Sequence, residues 1–241
     1  MGNKTKIFIF GKTGRMGQEI NLILQGHPKA DYCGGRSSGH DEGNVDDADV
    51  FIDFSNPLAI PSVLELAVSH GKPLVIGTTG LTHDDLDAIQ HASVRIPIIQ
   101  ASNTSLGIAV LSKISQQVAQ ILDEAFDIEI SESHHRHKLD APSGTALSLG
   151  EVVARGRHID FNPSMVDLNR QGERDRRIGF SVRRGGGIIG DHTVAFIGQD
   201  EMIELSHRGL SRRLFAQGAI KAALWLKDRP AGLYSMADVL F

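Results

Sequence analysis

Lys6-Ile7-Phe8-Ile9-Phe10-Gly11-Lys12-Thr13-Gly14-Arg15-Met16-Gly17 is the stretch that decides the fold. Lys6 to Phe10 is a short run of β-branched and aromatic residues, the composition of a buried strand. It passes directly into Gly11, Gly14 and Gly17, and then into a helical pattern through Ile20, Ile23 and Leu24. Glycines at a strand–helix junction let the backbone approach a pyrophosphate, whose charge the helix N-terminus favours. The spacing, G-x-x-G-x-x-G, differs from the common G-x-G-x-x-G. A plain strand–turn–helix connection also accounts for it.

Outward from this segment the chain alternates. Strands are expected at Asp31–Gly34, Asp49–Phe54, Pro73–Ile76 and Ile96–Ile99. Helical spacing falls at Pro57–His70 and Asp84–His91. Strands separated by helices imply a parallel sheet covered on both faces. Ligands of such sheets lie beyond the C-terminal strand ends. Gly77-Thr78-Thr79 and Ala101-Ser102-Asn103-Thr104 stand at two such ends, although these residue types also suit ordinary turns. After the second strand, where an acid commonly holds a ribose hydroxyl, Gly34-Gly35-Arg36-Ser37-Ser38 has none. Arg36 is either a partner for a 2′-phosphate or a surface arginine in a glycine turn.

Near residues 101–106 the rhythm changes. Leu106–Leu122 is a long helical pattern, Phe126–Glu132 alternates with period two, and Thr145–Arg155 is a helix. Arg177–Arg184, Asp191–Ile197 and Met202–Arg208 read as strands of an antiparallel or mixed sheet with one open face. Gly185-Gly186-Gly187 and Gly190 serve hairpin geometry. Arg183 and Arg184 read as edge-strand charges, and Cys33 as a buried strand-end residue. Ser211–Lys227 is an amphipathic helix that returns to the first domain.

The chemistry concentrates in Ser133-His134-His135-Arg136-His137-Lys138-Leu139-Asp140-Ala141-Pro142-Ser143-Gly144-Thr145. Imidazole is suited to moving a proton near neutral pH. Lys138 is a mobile point charge with three donors. Ser143, Gly144 and Thr145 open a helix whose N–H groups and hydroxyls suit a carboxylate. Asp140 is placed to orient the cations. Metal binding by the three histidines is disfavoured by Arg136 and Lys138, which repel a cation, and no metal is expected. A solvated basic loop is the plain alternative. The better reading is a site for a small anion that is also protonated.

Composition bounds the rest. The chain has 241 residues, 41% of them hydrophobic, which is ample for a packed core. Its net charge of −4 does not favour nucleic acid or a membrane surface. The basic character is local, at 134–138 and 174–184. A single cysteine precludes an internal disulfide and fits a reducing cytoplasm. No signal peptide, membrane span or myristoylation signal is read.

With these residues in view, the chain resembles the dihydrodipicolinate reductase (4-hydroxy-tetrahydrodipicolinate reductase) family. The resemblance rests on Gly11–Gly17, Asp53-Phe54-Ser55, Gly77-Thr78-Thr79-Gly80, Glu132–Ala146, Gly190-Asp191-His192, Glu204-Leu205-Ser206-His207 and Tyr234–Leu240. It implies an α/β chain: a Rossmann-like parallel-sheet nucleotide domain, residues 1–104 with 213–241, and an α+β substrate and tetramerisation domain, residues 105–212, with a mixed open sheet. It implies a homotetramer assembled through those sheets, a small dicarboxylate substrate, and NADPH or NADH as cofactor.

By the same resemblance His134 matches the acid, and Lys138 a carboxylate contact that also has a protonation role. His135, Ser143, Gly144 and Thr145 match further substrate contacts. Gly11, Lys12, Thr13, Gly14, Arg15, Met16, Arg36, Gly77, Thr78, Thr79, Ala101, Ser102, Asn103 and Thr104 match the cofactor site. Many members carry an acid before the arginine of the cofactor loop. Gly35 stands there in this chain, which favours NADPH. The stretch Ser37–Ala48 is also short for the family. Two other classes fit part of the sequence: a non-catalytic redox sensor, which needs no proton donor beside an anion site, and a different two-domain dehydrogenase, which would not require the Ala141–Thr145 turn.

Overall fold

The computed structural model describes residues 3–168 and 177–241. Residues 174–176 of the second basic run therefore lie outside the described residues. In chain order the elements are β1 (Thr5–Phe10), α1 (Arg15–Leu24), β2 (Ala30–Ser37), β3 (His40–Gly43), β4 (Val50–Asp53), α2 (Ile60–Ser69), β5 (Leu74–Ile76), α3 (His83–Ser93) and β6 (Pro97–Gln100). They continue with α4 (Leu106–Ile121), β7 (Asp127–His134), α5 (Gly144–Arg157), β8 (Gly179–Arg184), β9 (Asp191–Ile197), β10 (Met202–Arg208), α6 (Arg213–Leu226), β11 (Gly232–Tyr234) and α7 (Met236–Leu240). Two compact units result, Met1–Leu106 with Arg212–Phe241, and Gly107–Ser211.

The first unit holds a sheet of order β11-β6-β5-β4-β1-β2-β3. Every neighbouring pair is parallel except β2–β3. Strands β1, β4 and β5 are almost wholly buried, because helices cover both faces of a parallel sheet. Phe8, Phe10 and Phe51 pack with ring centroids 5.3 to 5.8 Å apart. Helix α1 buries Gly17, Ile20 and Leu24, one stripe at helical spacing, and lies against α6. The chain order of the strands reverses between β1 and β4, so the ends of these two strands open the crevice that such folds use for nucleotides.

Two strands escape a reading of the sequence. The second strand continues to Ser37, so Arg36 lies within β2 and not in a turn. It then folds back as the four-residue β3, which is polar and exposed and carries no apolar alternation. The three-residue β11 is shorter still. It extends the parallel sheet beside β6 after the chain has returned through α6.

The second unit holds a sheet of order β10-β9-β7-β8, with β7–β8 parallel and the other pairs antiparallel. Ile128 and Ile130 of β7 and Val194 and Phe196 of β9 face a core that includes Leu149 and Val153 of α5 and Ile108 and Leu111 of α4. The opposite face is open. Thr193 and Ser206 are hydrogen-bonded there at 2.8 Å, near exposed Met202 and Ile197. The sheet is therefore mixed, with one open face.

Candidate active site

In the first unit Gly11 leaves β1 with φ +81°, and its N–H donates to the Arg36 carbonyl at 2.8 Å. A Cβ at Gly11 would stand 2.3 Å from the Phe54 carbonyl oxygen, so the loop follows the end of β4 closely. Thr13 N–H donates to Ser37 Oγ at 3.1 Å. Gly14 is the N-cap of α1. It offers no side-chain cap, and no acid lies in the first turn. Helix α3 is built differently, with a capping box formed by Thr82 and Asp85. The uncapped start of α1, with Arg15 and Met16 in its first turn, suits the pyrophosphate of a dinucleotide.

Asp53, at the end of β4, is fully buried. Ser55 Oγ and Thr78 Oγ1 donate to its two oxygens, at 2.5 and 2.6 Å. Burial raises its carboxyl above the ordinary range, and these hydrogen bonds oppose the rise. The Thr78 hydroxyl is thus spent on fixing the Gly77–Thr79 loop beside β4, while Thr79 is exposed. Thr104 Oγ1 likewise donates to the Phe215 carbonyl at 2.8 Å, which ties the Ala101–Thr104 turn to α6. Ala101 is buried and Ser102 exposed in the same turn.

In the second unit the alternation of β7 places Ile128, Ile130, Glu132 and His134 on one buried face. A glutamate on that face is costly unless it is paired. Glu132 is paired on every side. Arg184 Nη1 and Nη2 each donate at 2.8 Å, one to each carboxylate oxygen. Ser143 N–H donates to Oε1 at 3.0 Å, and the remaining partner is His134 Nδ1. Burial alone would raise the Glu132 carboxyl. The hydrogen bonds from His134, Arg184 and Ser143 outweigh it and bring the value down to about 2. The group is therefore a carboxylate, and it accepts from His134 Nδ1–H. Nε2 is the nitrogen left to address a ligand.

Strand register builds this cluster. His134 is opposite Arg184 across the β7–β8 pair, and Glu132 is opposite His192 across β7–β9. His192 is buried with its ring edge-on to His134, centroids 5.1 Å apart. Burial pushes its pKa down to about 3, with His134 adding in the same direction, so it is neutral. Its Nε2 lies 3.2 Å from Ser143 Oγ, which also caps α5 by accepting from Ala146 N–H. Gly144 and Thr145 are the first two residues of α5, where helix geometry presents N–H groups to an anion. No acid lies in that first turn.

Lys138 reaches Asp140 at 2.8 Å, and Arg184 Nη2 donates to the Asp140 carbonyl at 2.7 Å. Asp140 thus orients both cations. His135 is half-buried next to exposed Arg136 and His137. The structure brings His134 and Ser143 together at Glu132, with Gly144 and Thr145 following Ser143 in α5 and Lys138 linked through Asp140 and Arg184. No group of three metal-ligating side chains is found among the described residues. Arg184 lies on the edge strand, but its guanidinium is a buried carboxylate's partner and not a solvated charge. Cys33 is only half-buried in β2, and burial still pushes its thiol up to about 11. Glu132, Arg184 and His192 join this cluster, and the sequence around them does not mark them as site residues. One local signal existed, an acid on the apolar face of β7 two residues before His134.

One unit carries a glycine loop at the β1/β4 reversal of a doubly wound parallel sheet and the other an imidazole fixed beside a helix start, the parts of a Rossmann-type oxidoreductase with a nicotinamide cofactor. Family models agree on the particular kind. The dihydrodipicolinate reductase N-terminal model matches residues 5–104 and the C-terminal model matches residues 107–240. The 4-hydroxy-tetrahydrodipicolinate reductase of Zymomonas mobilis is 45% identical over 249 residues, covering 99% of this chain and 98% of that protein. That of Caulobacter vibrioides is 43% identical over 254 residues, covering 100% and 98%. Among solved structures, dipicolinate-bound dihydrodipicolinate reductase from Paenisporosarcina sp. TG-14 aligns with a TM-score of 0.78. It is 23% identical and covers 99% of this chain and 100% of that one, which establishes a shared fold. The chain belongs to the dihydrodipicolinate reductase family.

Proposed function

We propose that this chain reduces 4-hydroxy-tetrahydrodipicolinate to tetrahydrodipicolinate, in lysine and diaminopimelate biosynthesis, with a nicotinamide cofactor. The observation that carries the reading is the Glu132-held His134 in the same buried cluster as the Ser143 N-cap of α5. One substrate carboxylate docks on the Ser143–Thr145 helix start, the other on His135 and Lys138. The 4-hydroxyl leaves as water. The bound cofactor supplies a hydride to C4 of the resulting conjugated ring. The electron pair displaced by that hydride comes to rest at C3, where a His134 protonated on both nitrogens, its Nδ1–H held by Glu132, delivers the Nε2 proton and returns to the neutral ring. General acid catalysis of this kind contributes ~10²–10⁴-fold, and two anchored carboxylates supply much of the positioning.

Residues 1–104 with 213–241 form the cofactor domain in this reading, and residues 105–212 the substrate domain. Gly11 to Met16 take the pyrophosphate, while Gly77–Thr79 and Ala101–Thr104 line the nicotinamide side. Arg36 attracts the 2′-phosphate of NADPH, the preferred cofactor, with NADH accepted. The open face of the β10-β9-β7-β8 sheet, with Met202 and Ile197 exposed, supports assembly into a homotetramer through this domain. The reading is of a cytoplasmic enzyme without nucleic-acid or membrane partners. Among the described residues no helix is long and apolar enough to cross a membrane.

The test is oxidation of NADPH and NADH, in parallel, with substrate freshly generated by a dihydrodipicolinate synthase. Substrate-dependent oxidation is expected. Its absence in protein that binds the cofactor would refute the reductase reading.

A further inference from the structure

Two cations beside the glycine loop, Lys12 and Arg36, are each matched by an acid of β3. Lys12 lies in the glycine loop and Arg36 at the end of β2, next to it through the Gly11–Arg36 backbone hydrogen bond. Lys12 Nζ meets Glu42 Oε2 at 2.8 Å, and Arg36 Nε meets Asp41 Oδ2 at 3.1 Å. Both acids belong to β3. The antiparallel register sets Glu42 opposite Gly35 and Asp41 opposite Arg36. Tyr32 O–H also donates to Glu42 Oε2, at 3.2 Å, and holds that carboxylate in place.

Gly35 explains why the acids come from β3. The end of the second strand is where Rossmann-type sites commonly place an acid for the ribose hydroxyls. A Cβ at Gly35 would lie 2.6 Å from the Ile9 carbonyl oxygen and 2.9 Å from Lys12 Cβ, with Lys12 Cδ at 3.1 Å. The lysine stem lies over the glycine, so no side chain fits at position 35. The hairpin instead delivers the Glu42 carboxylate to the face of Gly35 and Lys12, while Asp41 meets Arg36 on the other face of the strand pair. Lys12, Arg36, Asp41 and Glu42 together carry no net charge. The hydrogen bond and charge of Lys12 hold the Glu42 carboxyl below its ordinary range, so it is ionised at neutral pH.

We propose that Asp41 and Glu42 determine cofactor specificity: they neutralise Lys12 and Arg36, accept from the ribose hydroxyls of NADH, and so hold down the preference for NADPH. A 2′-phosphate, with a charge of about −1.5 to −2 at neutral pH, must displace a carboxylate to reach either cation. A 2′-hydroxyl can donate to them. The proposal rests on the reading of the first unit as a nicotinamide-cofactor domain.

The experiment uses the full chain and its Asp41→Asn/Glu42→Gln variant, both side chains being exposed. Dissociation constants for NADPH, NADH and 2′,5′-ADP are measured by fluorescence titration or calorimetry, with kcat/KM for both cofactors alongside. The variant is expected to raise the NADPH-to-NADH affinity ratio by about five- to tenfold, the scale of two exposed charge contacts. It should also bind 2′,5′-ADP more tightly, and high salt should shrink the difference. Lys12→Met, which removes a cation and leaves its acid, should move the ratio the other way. A ratio unmoved in the acid variant, or equal losses for both cofactors, overturns the proposal and leaves the cofactor reading standing. Failure of the parent chain to bind either cofactor overturns the reading and the proposal together.

Discussion

Arg184 grips Glu132 with both terminal guanidinium nitrogens, each 2.8 Å from a different carboxylate oxygen. The two residues are 52 positions apart and meet because β7 and β8 run side by side in parallel. The pair keeps a buried acid ionised, and that acid fixes both His134 and the N–H of Ser143. A proton donor and an anion-binding helix start are thereby set by one carboxylate.

Removing one partner of such a buried pair costs more than the pair contributes, because a charge is left stranded. Arg184→Met is expected to destabilise the chain by about 3 kcal/mol. Adding Glu132→Gln to it should recover a large part of the loss. Urea denaturation of the two single variants and the double variant measures both. Full additivity would show that the pair is not coupled.

His134→Gln should leave cofactor affinity unchanged and lower kcat by ~10²–10⁴-fold. Steady-state kinetics beside a cofactor titration separate the two effects. An unaltered kcat would take the acid role away from His134.

Lys138→Ala removes a charge beside the proposed dianion, and KM for substrate should rise by about ten- to a hundredfold with a lower kcat. An unchanged KM would place Lys138 outside the carboxylate site.

Acid should weaken the fold in two overlapping stages. Native His192 has its value lowered from 6.5 to about 3, and Glu132 from 4.5 to about 2. In each case the unfolded chain takes up the proton first. The stability these groups give is therefore complete above the unfolded value and is lost as pH falls toward the native one. Urea midpoints should begin to fall below pH 6.5 through His192, at up to about 1.4 kcal/mol per pH unit, and Glu132 should add its loss below pH 4.5. His192→Asn should flatten the upper stage. A midpoint independent of pH between 6.5 and 4.5 in the parent chain would contradict a neutral buried His192.

Gly17→Ala sets two effects against each other. Helix propensity favours alanine over glycine by about 1 kcal/mol. In the folded chain, however, the added Cβ would stand 2.3 Å from the Gly11 carbonyl oxygen and 2.6 Å from Lys12 Cα. Close packing should win, with a lower Tm and cofactor affinity weakened about tenfold or more. A raised Tm would show that the glycine loop is not held this tightly.

Features that rest on neighbours along the chain are legible in the sequence. Lys6–Phe10 followed by Gly11, Gly14 and Gly17 declares a strand, a turn and a helix, because apolar period and turn chemistry are local. The same holds for the alternation of strands with helices, and for the switch to period two at Phe126–Glu132. His134, Lys138 and Ser143–Thr145 stood out because their chemistry is crowded into one short run. The tertiary structure alone decided what depends on register between distant strands. Nothing near Arg184 says that its guanidinium reaches Glu132, and nothing near His192 says that burial keeps it neutral beside His134. Polar β3 has no alternation to betray it, so neither its pairing with β2 nor the acids it brings to Lys12 and Arg36 could be read along the chain. Local periodicity fixes which face a residue takes. Only the pairing of strands fixes which charge it meets there, and that pairing gave the buried carboxylate its partners and His134 its orientation.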